Sequence, residues 1–133
     1  MTTVQVPATT TNLGPGFDTL GLALALYNRV SVVPSDIWRI DVVGEGARSV
    51  PRDPRNLAAR ALRRCFAEAG KEVPTLHVLL ENRIPVSRGL GSSAAAIVGG
   101  LAAANTLLSD CVAPDRLLEL AVELLVVRLS SRA

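Results

Sequence analysis

The sequence predicts an α+β fold in which strands come first, followed by helix, strand and two helices. Three observations carry that expectation. Alternating or β-branched apolar runs occupy the first third of the chain and return once, at 76–81. Residues 57–69, and again those after Asp115, repeat their apolar side chains at helical spacing. Strands and helices do not alternate regularly, which argues against a doubly wound parallel sheet.

In chain order, Val4–Ala8 reads as a short strand and Thr9–Gly16 as a polar loop, with Pro15 wedged between two glycines. Leu20–Leu26 is apolar and becomes strand through Tyr27–Val33, where Val30, Val32 and Val33 cluster. Pro34–Ser35–Asp36 marks a turn, and Trp38–Val43 alternates as a half-buried strand does. Gly44–Glu45–Gly46 opens a loop that runs through Pro51 and Pro54. Leu57, Ala58, Ala61, Leu62, Cys65, Phe66 and Ala69 then share one helical face, with Gly70 where a helix C′ residue belongs. Leu76–Glu81 is a further strand. A helix of small residues runs from Ser92 to about Leu108. Pro114 and Asp115 open the last helix, with Leu117, Leu118, Leu120, Ala121 and Leu124 as its apolar stripe.

The 133 residues suffice for one domain with a hydrophobic core, carried by Ala, Leu and Val because only 3% of the chain is aromatic. A net charge of +2 is spread along the chain with no Lys/Arg run, so nucleic acid is not an expected partner. Cys65 and Cys111 lack metal-ligand spacing and sit among apolar residues, so both are expected as buried free thiols, which suits a reducing cytoplasm. There is no basic-then-apolar leader pattern and no run long enough to span a bilayer, so no membrane association is expected.

The most informative segment is Ile84–Pro85–Val86–Ser87–Arg88–Gly89–Leu90–Gly91–Ser92–Ser93–Ala94–Ala95–Ala96. Two glycines permit a tight turn and close approach of a ligand to the backbone. Two serines follow where a helix should begin, a place with unpaired N–H groups. Such a site takes an anion, and phosphate is the natural one. Backbone amides from Gly89 to Ser93 would cradle phosphates, and a hydroxyl of the first helical turn could bind Mg²⁺. Arg88 is either a phosphate partner or an ordinary solvated arginine. Ala94–Ala96, Gly99 and Gly100 would let the helix pack closely on the sheet. The string lacks the Lys of a phosphate loop of the GxxxxGK[ST] type and the third glycine of a dinucleotide fingerprint.

That string resembles the central ATP-binding motif of the GHMP kinases, the family of galactokinase, homoserine kinase, mevalonate kinase and phosphomevalonate kinase. Val6–Pro7–Ala8–Thr9–Thr10–Thr11–Asn12–Leu13–Gly14–Pro15–Gly16–Phe17–Asp18–Thr19–Leu20–Gly21–Leu22–Ala23 is similar to the start of its homoserine kinase branch. The resemblance covers about Val4 to Glu123. It implies a fold like the second domain of ribosomal protein S5 and transfer of the ATP γ-phosphoryl group to the hydroxyl of L-homoserine, on the route to threonine. It further implies that Asn12 and Asp18 contact the amino-acid substrate, an assignment their chemistry suits. The same two residues would serve equally as a turn residue beside Gly14 and a cap on the following segment. Pro85, Arg88, Gly89, Leu90, Gly91, Ser92, Ser93 and Ala94 fall in the family's nucleotide loop, with Ser93 at its Mg²⁺-binding serine. Asn56 falls near the adenine-side contacts, or is only a helix N-cap. Glu123 falls at the glutamate completing the Mg²⁺ site, with Glu119 as its competitor one turn earlier. Ser93, Glu123 and Arg88 are thus the expected catalytic set. No general base is implied, and His77, alone in an apolar strand, is expected to be structural.

Beyond Glu123 the residues resemble nothing in the family. The expected organisation is an ATP-binding N-terminal domain over 1–123, a non-family tail over 124–133 and no second domain, as a truncated or frameshifted gene would yield. The apolar faces of the last two helices would then lack cover, favouring loosening, aggregation or a homodimer. Rival readings are another kinase of the family acting on mevalonate-like or sugar substrates, a non-catalytic nucleotide-binding fragment, and an S5-like RNA-binding module.

Overall fold

The computed structural model describes residues 1–10, 22–84 and 92–130. The element order is β1 (Thr2–Thr10), β2 (Leu22–Pro34), β3 (Arg39–Gly44), α1 (Leu57–Glu68), β4 (Leu76–Asn82), α2 (Ser92–Leu107) and α3 (Pro114–Ser130). The strands form one sheet in the order β1-β2-β4-β3. β1 and β2 pair antiparallel, β2 and β4 antiparallel, and β3 and β4 parallel across the α1 crossover.

Alternation decides which face each strand buries. Val30 and Val32 of β2, Ile40 and Val42 of β3, and Leu76, Val78 and Leu80 of β4 all point to the helices and are buried. The opposite face is polar: Thr3 and Ser31 hydroxyls lie 3.0 Å apart, Arg29 Nε donates to Gln5 Oε1, and His77 Nε2 lies 2.7 Å from Asp41 Oδ2. His77 therefore has a structural partner across the β3–β4 ladder, where it is the direct register partner of Arg39 and both side chains meet Asp41.

α2 is the central helix, lying over β1 and β2 with α1 beside it, while α3 packs against both. The close approach comes from two adjacent glycines facing different ways. A Cβ on Gly99 would meet Val30 Cγ2 at 2.6 Å, and one on Gly100 would meet the Ala58 carbonyl oxygen at 2.3 Å. The small side chains thus serve the sheet on one side and α1 on the other. α1 ends as its sequence predicts: Gly70 is at φ +69°, Gly70 N donates to Ala67 O, and Lys71 N donates to Phe66 O.

Several expectations need correction. β1 runs on through Thr9 and Thr10, read from sequence as loop, because they pair with Ala23 and Leu22 after an irregularity between Pro7 and Thr9. Pro34, expected in a turn, is the last rung of β2, a terminal position where the missing N–H is tolerated. Leu118 is 67% exposed. It lies two residues before fully buried Leu120, which puts it on the far side of α3, in line with exposed Val122 and Val126. Cys65 is buried as expected, but Cys111 is exposed, because it falls in the turn between α2 and α3. α3 continues without a break past Glu123 to Ser130. Among the described residues, no helix is long and apolar enough to cross a membrane.

Candidate functional site

A cavity of about 510 Å³ opens where α1 and α2 both begin, beside the middle of β2 and the end of β4. That size falls in the range of small-molecule sites, about 300–1,000 Å³. Its walls are apolar on Val30, Val50, Pro51, Leu57, Leu80 and Ile84, and polar on Asn28, Ser49, Asn56, Asn82, Ser92 and Ser93, with Arg55 and Arg60 at its edge. An apolar wall suits a flat heterocycle, and two helix N-termini direct unpaired N–H groups and partial positive charge toward an anion.

Asn56 is 1% exposed and caps α1. Its Oδ1 accepts from Ala59 N at 3.1 Å and its Nδ2 donates to Pro51 O at 2.8 Å. The N-cap role left open by the sequence is therefore present, and the same carboxamide ties the 45–55 loop to the helix start. Arg52 adds a second tie, donating from Nη2 to Val42 O at 2.9 Å. Arg55 is turned to Asp53, with Nη2 2.8 Å from Oδ2, and that bond holds the Asp53 carboxyl below its usual range. Arg60 lines the cavity without an ion pair among the described residues, so it is the cation available to an incoming anion.

Where the β2–β4 ladder ends at this cavity, the inward rows of both strands carry asparagines. Asn28 follows Val32 and Val30 in phase, Asn82 follows Val78 and Leu80, and the two are direct register partners. Asn28 is 3% exposed, and its Oδ1 accepts from both Arg83 N and Ile84 N at 2.9 Å. Asn82 Nδ2 donates to Glu45 O at 3.3 Å, and Glu45 N donates to Asn82 O at 2.8 Å, which fixes the loop carrying Ser49 and Val50. Asn28, Ser49, Arg60 and Asn82 were not singled out from the sequence. The available signal was an asparagine standing at an inward strand position, where an apolar residue belongs.

Of the residues expected at the site, Asn56, Ser92 and Ser93 meet in this cavity, with Ala94 in the same first turn of α2. Asn12, Asp18, Pro85, Arg88, Gly89, Leu90 and Gly91 lie outside the described residues. Glu123 does not line the cavity. Its Oε2 is 3.7 Å from Arg64 Nη2, and it borders a shallow depression with Val122, Leu124, Val126 and Val127. Glu119 is also engaged, accepting from Arg116 Nη1 at 2.9 Å. Among the described residues, no group of three or more His, Cys, Asp or Glu side chains could hold a metal ion.

Fold and cavity together define an α+β domain with a cavity of small-molecule size at the converging starts of two helices. The model of the GHMP kinases N terminal domain matches residues 56–130, and the chain belongs to that family. The homoserine kinase of Carboxydothermus hydrogenoformans is 51% identical over 125 residues, which is 93% of this chain and 41% of that protein. The homoserine kinase of Clavibacter michiganensis is 52% identical over 125 residues, 91% of this chain and 40% of that protein. The chain thus spans well under half the length of these curated relatives. Among solved structures, the homoserine kinase of Cytophaga hutchinsonii superposes with a TM-score of 0.73 at 28% identity, over 92% of this chain and 40% of that one. The mevalonate kinase of Methanococcus jannaschii shares the fold, with a TM-score of 0.70 at 17% identity over 92% of this chain and 45% of that one.

Proposed function

We propose that this chain forms the ATP-binding part of a homoserine kinase, which passes the γ-phosphoryl group of ATP to the side-chain hydroxyl of L-homoserine in threonine biosynthesis. The observation that carries the reading is the cavity itself, which joins Asn56 at the start of α1 to Ser92 and Ser93 at the start of α2, directly after the glycine string. The names of relatives about half identical to this chain support the choice of homoserine over other acceptors.

In this reading the base lies against Pro51, Leu57 and Leu80, and the phosphates meet the N–H groups from Gly89 to Ser93. Arg60 and Arg88 supply positive charge, the larger part of what phosphoryl transfer asks of a protein. Asn12 and Asp18 hold the amino-acid substrate, Asp18 through its ammonium group. Mg²⁺ neutralises phosphate charge when bound, and Ser93 Oγ is a suitable hard donor for it. One protein oxygen suffices beside phosphates and water, because Mg²⁺ keeps much of its hydration. Glu123 would have to leave Arg64 to join that site. Two free cysteines accord with work in the cytoplasm.

Calorimetric titration with Mg·ATP, followed by L-homoserine or mevalonate, tests the proposal. Saturable ATP binding and a homoserine response without a mevalonate response are expected. A mevalonate response alone would move the chain to another branch of the family, and no ATP binding by folded chain would refute the reading.

A further inference from the structure

The chain leaves β4 at Ile84 and enters α2 at Ser92, and both residues face the cavity. What holds the exit point is a side chain from another strand. Asn28 Oδ1 takes the Arg83 and Ile84 N–H groups at 2.9 Å each, although 55 and 56 residues separate them in sequence. The Ile84 bond is buried and the Arg83 bond part-buried, since Asn28 is 3% and Ile84 1% exposed while Arg83 reaches the surface. Buried amide donors that lose their acceptor are costly, so the exit would shift if the carboxamide were removed. Asn28 also lines the cavity beside Ser92 and Ser93. A strand interior needs no such residue: Val30 and Val32, next in the same row, are apolar.

We infer that Asn28 is a positioning residue for the anion ligand: its two bonds to Arg83 N and Ile84 N set the point from which the chain departs toward Ser92. This rests on the nucleotide reading above and adds a residue and a role to it. Asn105 supplies a matched comparison. It is also a buried asparagine whose carboxamide clamps backbone, with Nδ2 3.1 Å from Val112 O and Oδ1 3.0 Å from Val112 N, but it does not line the cavity.

The test measures the Mg·ATP dissociation constant and the thermal midpoint for the unaltered chain and for Asn28→Ala, Asn28→Asp and Asn105→Ala. Both alanine variants should lower the midpoint. Of the two, only Asn28→Ala should weaken ATP binding, by about tenfold or more for two lost bonds. Asn28→Asp keeps an acceptor and should restore the thermal midpoint and the protection of the Arg83 and Ile84 amides, while its added negative charge beside the anion keeps ATP binding weak. Faster amide exchange at Arg83 and Ile84 in Asn28→Ala, but not in Asn105→Ala, is expected alongside. Equal weakening by both alanine variants, or unchanged binding in Asn28→Ala, would overturn the inference while leaving the nucleotide reading intact. Failure of the folded, unaltered chain to bind Mg·ATP would overturn both.

Discussion

Single side chains in this domain have separable duties, and the two cysteines show it most simply. Burial pushes the Cys65 thiol up to about 11, while Cys111 is exposed. Because the thiolate is the nucleophile, a disulfide reagent at pH 8 should titrate one thiol in the native chain and two in denaturant. Rapid reaction of both in the native state would contradict the burial of Cys65. Asn56 carries a double load, capping α1 and holding Pro51 O. Asn56→Ala should cost about 1–2 kcal/mol, read as a lower urea midpoint at unchanged slope. These roles were partly legible in the sequence. An Asn before a helical run announces a cap, but whether its other amide edge meets a loop or a ligand depends on tertiary placement. Cys111 misled because apolar neighbours in sequence, Val112 and Ala113, need not be neighbours in space.

At the scale of the element, α2 and α3 follow different rules. The first is packed by what it lacks: Gly100 stands where a Cβ would meet the Ala58 carbonyl at 2.3 Å, and backbone cannot easily withdraw. Gly100→Ala should destabilise by about 1–3 kcal/mol despite the better helix propensity of alanine. α3 shows the ordinary amphipathic pattern. Leu120→Ala, at a fully buried position, should cost about 2–5 kcal/mol. Leu118→Gln, at a position 67% exposed, should change stability by no more than about 0.5 kcal/mol. Chemical denaturation of both variants checks the contrast. All seven elements were readable from periodicity, caps and turn residues. Strand ends were not, since whether Thr9, Thr10 and Pro34 join a ladder is settled by the partner strand. The length of α3 was likewise set by helical continuity through Leu124 and Leu125, which pack on the core.

At the scale of the whole molecule, three carboxylates among the described residues, Asp41, Asp53 and Glu68, are paired so that folding favours their charged forms. Hydrogen bonds from Arg116, then the charge of Arg64, hold Glu68 below the usual glutamate range. The bond to His77 and then Arg39 do the same for Asp41. The folded state therefore binds fewer protons than the unfolded chain in acid. Their contribution is complete above the ordinary Asp and Glu values and is lost as pH falls through the lowered ones. The thermal midpoint should fall as pH drops from 5 to 3, and Glu68→Gln should make that fall shallower; an unchanged profile would remove Glu68 from the account. Glu68 belongs to a network with Arg64, Arg116, Glu119 and Glu123 that ties α1 to α3. This network gives Glu123 a neighbour that the sequence alone does not reveal. A glutamate on a helix carries no mark of the face it will occupy, and here the arginine of a neighbouring helix claims it. The serine pair of α2 was legible because a glycine string before a helix start has few other uses. Asn28 and Asn82 at the end of the β2–β4 ladder were not, because their meaning depends on the cavity they adjoin.

The central claim is that the cavity between the starts of α1 and α2 receives ATP. Backbone amide chemical-shift mapping of the ¹⁵N-labelled chain during Mg·ATP titration addresses it most directly. The largest changes should fall at Asn28, Ser49, Asn56, Arg60, Asn82, Ser92 and Ser93, with α3 beyond Leu120 unaffected. Saturable changes centred instead on Arg64, Val122 and Glu123, or none at all in a folded sample, would contradict it.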